Sequence, residues 1–329
     1  MAGLLVASFR HSGATILLCR HQHPPPYPLP YRFSTPLAKK TLSLMSNIEK
    51  QFELDLLNAK KRFDGRKLNQ RREVELTFGQ DYGNVHVKMG NTWLMVQVSA
   101  SVITPNENRP FEGLFTITTN ISSMAAPQFE NGRPSQEELL VSRLVEKAIR
   151  RSNALDLESL CIAVGQSCWM IRADVHYLNY DGGLVDTTCI GVSAALLHFK
   201  RPDTSIVDGK VVIHDINDRP PVPLSVLHVP ISVTWSLIGD DLLLLDATAS
   251  EQELRTGDMT VAVNSDREIC QVTKAGGFSF EVAEMLGCYE KAYSIAKKTT
   301  KYIYEQLRQD EATRNKGNMA VDFSDVHDR

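Results

Sequence analysis

A strand that runs into two glycines and then directly into a helix constrains the fold of this chain more than any other feature. The alternating run Ile171–Tyr180 predicts a half-buried strand, and the small-residue stretch Thr187–Phe199 predicts a helix that packs closely on a sheet. Residues 181–186 between them read DGGLVD. Such a junction directs backbone N–H groups and the positive end of a helix toward one point, where an anion is favoured.

The side chains at this junction do not suit an anion. Leu184 and Val185 offer neither a hydrogen-bond donor nor a charge. Asp186 is expected at the N-cap of the helix, where its carboxylate would take the place of the anion. The sequence therefore predicts the backbone frame of an anion site without the side chains that would hold its ligand.

Hydrophobic periodicity predicts alternating groups of strands and helices along the rest of the chain. Further helices are expected at 48–61, 135–151 and 280–309, and strands or hairpins at 74–78, 85–89, 93–98, 115–121, 155–164, 170–180, 205–214, 221–235, 242–246, 259–264 and 268–272. The first helix is expected to bury Ile48, Phe52 and Leu56. Ser135 and Glu138 form a capping-box pattern at the start of the second. This order predicts an α+β fold with helices packed on mixed sheets.

The composition is that of a chain with a large buried core. Hydrophobic residues make up 43% of the 329 residues, and no apolar run approaches the roughly 20 residues that span a bilayer. We therefore expect no membrane-spanning segment. The six cysteines, at 19, 161, 168, 189, 270 and 288, show no C-x-x-C spacing. Reduced thiols in an intracellular compartment are expected, with neither a zinc site nor a disulfide framework.

The first 44 residues differ in composition from the remainder. They hold five Lys or Arg, three His, six Pro and no acidic residue. This composition is typical of a transit peptide, but we favour an upstream extension of the coding frame before Met45, and we expect a disordered segment in both cases. Residues 45–329 keep 31 of the 36 basic residues and all 39 acidic ones, which leaves a formal charge of −8. Uniform coating of a nucleic acid is therefore not expected.

The glycine pair and the motif Asp64-Gly65-Arg66 resemble the ribonuclease PH family. The resemblance covers residues 48–317 and narrows, within that family, to the ring subunits of the eukaryotic RNA exosome. It rests on separated blocks in one order: RPFEG at 109–113, MAAPQFE at 124–130, LESLC at 157–161, HFKRPD at 198–203, PVPLS at 221–225 and REIC at 267–270. It implies a duplicated β-α unit in a ribonuclease PH-like domain at 45–309, with halves at about 62–200 and 201–309, before a polar tail at 310–329.

The resemblance also implies that the catalytic side chains are missing. In phosphorolytic members of the family, Thr and Arg follow the two glycines and hold the attacking phosphate, whereas Leu184 and Val185 follow Gly183 here. Those members carry two acids where this chain has Asp246 and Gln252, and Gln252 cannot transfer a proton near neutral pH. We expect a degenerate site at these five positions, a structural role for Asp246, and neither a cofactor nor a metal.

The same resemblance implies a scaffold that guides RNA. Such subunits pair with other ribonuclease PH-like proteins in a six-membered ring that S1/KH-type proteins cap, and single-stranded RNA threads its channel. The candidates for RNA contact are Arg109, Arg133, Arg143, Lys147 and Arg150. The last three share one helical stripe, which is either a solvated face or a phosphate contact. Arg109 either binds phosphate through two guanidinium N–H groups or forms an ion pair with Glu107 or Glu112.

Two other functions remain open on the sequence. The chain is an active phosphate-dependent 3′-to-5′ exoribonuclease if a cation such as Arg172 or Lys210 lies near Gly183 and replaces the missing one. It is an organellar RNA-processing protein if residues 1–44 direct it to an organelle. As an exosome ring subunit, it is expected in the nucleus, the nucleolus and the cytoplasm, where it supports RNA processing and degradation.

Overall fold

The computed structural model describes residues 45–315, except 131, 133, 208, 209, 216, 217, 240, 241 and 280 and the side chains of 207, 210 and 315. The expected extension at 1–44 and the end of the expected tail lie outside these residues. In chain order the elements are α1 Asn47–Asn58, β1 Val74–Phe78, β2 Asn84–Met89, β3 Thr92–Ile103, β4 Leu114–Ile121, α2 Gln136–Ile149, β5 Cys161–Ala163, β6 Ser167–Asn179, α3 Leu184–His198, β7 Lys200–Arg201, β8 Thr204–Val207, β9 Lys210–Ile213, β10 Val222–Pro223, β11 Ile231–Ile238, β12 Leu242–Leu245, α4 Ala249–Glu253, β13 Gly257–Val263, β14 Ile269–Gly276 and α5 Val282–Asn315.

The first half of the described chain builds a six-stranded sheet in the order β1-β2-β3-β6-β4, with β5 paired to β6. All neighbours are antiparallel except β4 and β6, which run parallel. The predicted alternation is confirmed, because Val85, Val87, Leu94 and Val96 point to one face and are fully buried. This sheet carries the glycine junction at the end of β6.

Helix α3 lies between two sheets and is therefore buried on nearly all sides. Thirteen of its 15 residues are buried, and the helix packs on β2 and β3 on one side and on β11 on the other. A Cβ on Gly191 would stand 2.9 Å from Val96 Cγ2 and 3.0 Å from Leu94 Cδ1. Small residues thus allow the close packing on a sheet that the sequence predicts.

The second half builds a four-stranded antiparallel sheet in the order β12-β11-β13-β14. Helix α5 covers its outer face, where Cys288 and Ala292 pack with Trp235 and Val261. Farther along the helix, Ala296 and Ile303 join the core of the first sheet. The observed layers confirm the predicted α+β class with helices packed on mixed sheets.

Several predicted boundaries are wrong. Helix α3 begins at Leu184, three residues earlier than expected, because Gly183 takes the N-cap position with φ at +66°. The strand expected at 155–164 shrinks to β5, since Asp156 Oδ1 accepts the N–H groups of Glu158 and Ser159 in a 3-10 turn. The expected strand 221–235 splits into β10 and the start of β11. Helix α5 continues to Asn315, six residues beyond its predicted end.

The buried face of α1 was also predicted wrongly. Ile48 and Phe52 are 83% and 58% exposed, whereas Glu53 and Leu57 are buried. Leu57 packs with Leu244 in a small core cluster, and the Glu53 carboxylate accepts a hydrogen bond from Ser250 Oγ at 2.7 Å. A polar partner distant in sequence therefore turns the helix away from its apolar stripe. No helix of the described residues is long and apolar enough to cross a membrane.

Candidate functional site

The two glycines of the junction let another segment of the chain lie directly on them. Gly182 and Gly183 have φ values of +72° and +66°, a region that side-chain-bearing residues rarely adopt. A Cβ on Gly182 would clash with the carbonyl oxygen of Ala247, and one on Gly183 would lie 2.9 Å from Asp246 Oδ1. The turn that follows β12 therefore packs directly against the glycine pair.

The carboxylate of Asp246 lies beside this junction and is bound by two arginines. It accepts hydrogen bonds from Arg72 N and Nε at 2.9 Å each, from Arg72 Nη2 at 2.6 Å and from Arg66 Nη1 at 3.1 Å. Burial opposes its ionisation, but the hydrogen bonds and charge of Arg72 outweigh burial and lower the pKa of Asp246. Asp246 is 1% exposed and has φ at +51°. It is a charged, fully paired structural group.

Two cations beside the junction, Arg72 and Arg62, are engaged by the chain itself. Arg72 Nη1 also donates to the Asp181 carbonyl oxygen at 2.7 Å, and burial of its side chain is outweighed by Asp246 and Asp181, which raise its pKa. Arg62 binds both carboxylate oxygens of Glu251 at 2.9 and 2.6 Å and the carbonyl oxygens of Leu245 and Asp246. A third arginine, Arg71, acts on the charge of Asp186, and its buried Nε has no hydrogen-bond partner among the described residues.

The residues after the glycine pair serve the core. Leu184 is 6% exposed within the main hydrophobic cluster, and the Val185 carbonyl oxygen accepts a hydrogen bond from Ser232 Oγ. The expected N-cap role of Asp186 is wrong, because this residue lies inside α3 and its carboxylate accepts from Thr234 N at 2.9 Å and Oγ1 at 2.7 Å. Burial raises the pKa of Asp186 to about 6.

Gln252 and Arg172, two further residues considered for this site, supply neither an acid nor an unpaired cation. Gln252 lies on α4, where its Oε1 accepts a hydrogen bond from the Tyr180 hydroxyl at 3.2 Å. Arg172, one of the two compensating cations considered above, pairs with Asp174 at 2.8 Å on an exposed part of β6. It precedes the end of β6 by seven residues, or roughly 23 Å of strand. Lys210 has no described side chain. Among the described residues no group of three or more metal-ligand side chains is placed to hold a metal.

The structure brings two of the RNA-contact candidates into one cavity. Arg109 and Arg150 line a cavity of about 390 Å³ between the loop after β3, the end of α2 and the start of β6. Arg151 lies beside them and forms no ion pair with the described residues; the sequence reasoning missed it, although the Arg-Arg pair was visible. Arg109 pairs with Glu112 at 3.0 Å, the second of its two expected alternatives. We refer to this as the basic cavity.

The other RNA-contact candidates lie outside the basic cavity. Arg143 and Lys147 are exposed on the outer stripe of α2 that they share with Arg150. Arg150 pairs with Glu146 at 2.9 Å. Arg133 lies outside the described residues. The predicted capping box that starts this helix is confirmed, with Ser135 and Glu138 bonded to each other's backbone N–H groups.

The chain is similar to known proteins over most of its length. Residues 70–202 match domain 1 of the 3′ exoribonuclease family, RNase PH, and residues 228–295 match its domain 2. It is 45% identical over 286 residues to exosome complex component RRP45 of Saccharomyces cerevisiae, which covers 83% of this chain and 94% of that relative. It is 37% identical over 274 residues to the Homo sapiens RRP45 component, covering 83% and 62% of the two chains.

A solved structure shares the fold. A chain of the Archaeoglobus fulgidus exosome, described with RNA bound to the active site, superposes with a TM-score of 0.68 at 27% identity. The superposition covers 78% of this chain and 97% of the archaeal one. The expected fold is thus confirmed at the level of both sheets and the helix between them.

Proposed function

We propose, from the premise that this chain belongs to the 3′ exoribonuclease family, that it is a non-catalytic ring subunit of the RNA exosome. Its curated relatives favour the position of the RRP45 component within the exosome, and its motif blocks resemble exosome component nine. In this role the chain assembles with other ribonuclease PH-like subunits, under S1/KH-type cap proteins, and contacts single-stranded RNA in the channel. The halves at about 62–200 and 201–309 are proposed as its two repeated units.

One observation carries the non-catalytic part of the proposal. Leu184 and Val185, which follow the glycine pair, offer no donor to a phosphate, and Arg72 and Arg66 beside that pair are bound to Asp246. Phosphorolysis requires cationic donors aimed at the attacking phosphate, together with a placed acid. Leu184 lies in the core and Gln252 replaces one of the two acids, which supports the absence of phosphorolysis.

An activity assay tests this part. The purified full-length chain is incubated with labelled single-stranded RNA and inorganic phosphate, beside an active phosphorolytic member of the family as positive control. We expect intact RNA in the sample with this chain. Phosphate-dependent release of nucleoside diphosphates would contradict the non-catalytic assignment if an identically purified Arg72→Met protein did not show it, because a contaminating nuclease would be present in both preparations.

Ring assembly is supported by an exposed apolar surface in the second half. Edge strand β14 pairs only with β13 among the described strands, and Val272 stands opposite Val261 on the side of the sheet that α5 covers. Helix α5 nevertheless leaves Ile269 and Val272 of β14 exposed. We call this set the β14–α5 surface, and its members are Ile269, Val272, Val282, Met285 and Leu286. A surface of this kind is typical of an obligate assembly interface.

A reconstitution experiment tests assembly. The chain is mixed with candidate ribonuclease PH-like ring subunits, and complexes are measured by size-exclusion chromatography with light scattering. We expect a stable heterodimer and, for Met285→Asp with Leu286→Asp, an affinity at least about 100-fold weaker, since two buried apolar side chains contribute about 3 kcal/mol or more. Tyr304→Asp, an exposed change on the same helix, is the control. A chain that stays monomeric with every candidate subunit would refute the ring assignment.

RNA contact is supported by the charge of the basic cavity. The cavity is lined by three arginines, Arg109, Arg150 and Arg151. Glu112 is the one acidic residue among its lining residues, although the chain as a whole is acidic. Arginine side chains bind phosphate oxygens in a planar, bidentate geometry. A local patch of this kind accounts for RNA contact where uniform coating is unfavourable.

A binding experiment on the reconstituted ring tests the RNA contact. Arg109→Glu with Arg151→Glu is expected to weaken binding of labelled single-stranded RNA and to lower the slope of log affinity against log salt by about 1–2. Arg172→Glu, which reverses an exposed arginine on β6, is the matched control and should leave the slope unchanged. Equal slopes for all rings would refute a role for the basic cavity.

We propose that the chain works in the nucleus and the cytoplasm, including the nucleolus, as expected for an exosome subunit. The organellar alternative depends on residues 1–44, which lie outside the described part of the chain. A fusion of residues 1–44 to a fluorescent reporter separates the two. Accumulation of the reporter in mitochondria or plastids would favour the organellar alternative, and diffuse fluorescence would favour the exosome.

A further inference from the structure

Two cysteines face each other across the β5–β6 hairpin. Cys161 and Cys168 are register partners in an antiparallel pair, and the register shifts between this pair and the next one, Ala163 and Ser167. Residues directly opposite each other in such a pair lie about 4.5–5.5 Å apart at Cα, and their side chains point to the same face. A disulfide requires a Cα separation of about 4.4–6.8 Å. The backbone of this hairpin therefore meets the geometric requirement for a cross-strand disulfide.

The cross-strand pair adjoins the basic cavity through one of its two members. Cys168 is itself a lining residue of the cavity, although its side chain is only 1% exposed. Cys161 is half-buried, and its Sγ lies 4.0 Å from the carbonyl oxygen of Pro110, next to Arg109. Burial and the proximity of Cys161 both raise the pKa of the Cys168 thiol. A small oxidant can thus reach the pair from the cavity, and Cys161 is the more accessible member.

We propose that Cys161 and Cys168 form an oxidant-modifiable dithiol that a hydroperoxide converts to an intramolecular disulfide. Cys161 sulfur attacks one oxygen of hydrogen peroxide, which gives a sulfenic acid and water. Cys168 sulfur then attacks the sulfenic sulfur, loses its proton and displaces a second water as the S–S bond forms. Two thiols are oxidised, one peroxide is reduced to two waters, and no other reactant is needed.

The remaining described cysteines offer a weaker pair. Cys189 and Cys270 lie within electrostatic range of each other but on different elements, α3 and β14. Cys189 is fully buried, donates its thiol proton to Pro230 O at 3.3 Å, and has a pKa that burial raises to about 12. Cys288 packs in the core beneath α5. The cross-strand pair is the one with both a register contact and a cavity beside it.

The sequence makes this proposal directly measurable. Residues 152–172 contain no internal Lys or Arg and end at Arg172, so that trypsin places Cys161 and Cys168 in one peptide. The full-length protein is treated with hydrogen peroxide, quenched, denatured, alkylated and digested. We expect this peptide about 2 Da lighter than its reduced form and without alkyl labels, and dithiothreitol should restore two labelled sites.

Two cysteine variants test which thiols form the disulfide. Cys161→Ser should abolish the unlabelled, lighter species, while Cys270→Ser, a change of the same kind in the weaker pair, should leave it intact. Two alkylated cysteines in the oxidised wild-type peptide would overturn the proposal. A cross-link from this peptide to Cys189 or Cys270, or over-oxidation of Cys161 without a lighter species, would overturn it equally. The result is independent of ring assembly and RNA binding.

Discussion

Replacement of Asp246 by Asn tests whether its ion pairs with Arg72 and Arg66 stabilise the fold. Asn keeps the size of the side chain but removes its charge, and one of its two polar atoms becomes a donor that faces the donors of Arg72. In the wild type, Arg72 gives Asp246 three hydrogen bonds and Arg66 gives it one. The substitution therefore leaves a buried guanidinium without its counter-charge.

The size of the effect follows from burial. The side chain of Asp246 is 0% exposed and that of Arg72 is 7% exposed, so solvent screens the pair very little. Removal of one partner of a buried ion pair lowers the free energy of unfolding by about 3–5 kcal/mol. Arg72 keeps the Asp181 carbonyl oxygen and a carboxylate contact at 3.4 Å, which favours the lower end. We expect a loss of about 3 kcal/mol.

Urea denaturation of the full-length chain measures this loss at pH 7. The matched control is Asp174→Asn, which removes a carboxylate from the exposed Arg172 and should change the free energy of unfolding by less than about 1 kcal/mol. Combining Asp246→Asn with Arg72→Met should recover part of the loss, because the uncompensated charge is then absent. Equal stability of Asp246→Asn and wild type would refute the structural role and leave Asp246 available for chemistry.

The same variant has a defined pH dependence. Arg72 lowers the folded-state pKa of Asp246, so that the folded protein binds fewer protons at this group than the unfolded chain. The stabilisation is complete above the unfolded pKa of about 3.9 and is lost as the pH falls through the folded pKa. The stability gap between wild type and Asp246→Asn should therefore narrow below about pH 4. A gap that stays constant in acid would contradict the assignment.

Three further changes test neighbouring residues. Because burial raises the pKa of Asp186 to about 6, wild-type stability should fall as the pH rises from about 4 to 6, and Asp186→Asn should remove this slope in urea titrations. Leu184→Thr with Val185→Arg should not produce phosphate-dependent cleavage of RNA and should lower the free energy of unfolding by about 2 kcal/mol or more. Gly183→Ala should destabilise by about 1–3 kcal/mol more than Gly165→Ala, which has a similar positive φ but open space around its Cβ.

Local chemistry in the sequence was a reliable guide to part of the fold. The capping box of α2 depends on residues three apart, and both of its hydrogen bonds are present. The β2–β3 hairpin follows from two alternating runs around Gly90, which has φ at +61°. In both cases the atoms that determine the structure lie within a few residues of each other, so the pattern contains the whole interaction.

The interactions that the sequence could not predict join distant residues. Glu53 is buried because Ser250, 197 positions away, donates to it, and this contact sets which face of α1 packs inward. The hydrogen-bond donors to Asp186 belong to Thr234 on β11, 48 positions away. The carboxylate therefore binds to β11 and does not cap the start of α3. The spacing of apolar residues in a helix does not show which polar residue will form a hydrogen bond with a residue far away in the sequence.

The basic cavity is another feature that the sequence alone could not predict. Arg109 and Arg150 were both candidates, but nothing in their spacing of 41 residues indicated that they share a wall. Arg133, a weaker candidate of the same kind, still lacks a described position. The fold brings the two arginines together because β3 ends beside the C-terminus of α2. The clustering of these arginines can therefore be recognised only after the order of the strands in the sheet is known.

The motifs that first suggested an anion site are explained by folding alone. Arg66 and Arg72 are largely buried cations, and a buried cation requires a counter-charge whether or not a reaction takes place. Asp246 supplies it from the end of β12, and the positive φ of Gly183 lets that carboxylate approach the junction. The Asp-Gly-Arg motif and the glycine pair are thus indicators of this fold. Activity depends instead on the side chains after the glycines, and here Leu184 is part of the hydrophobic core.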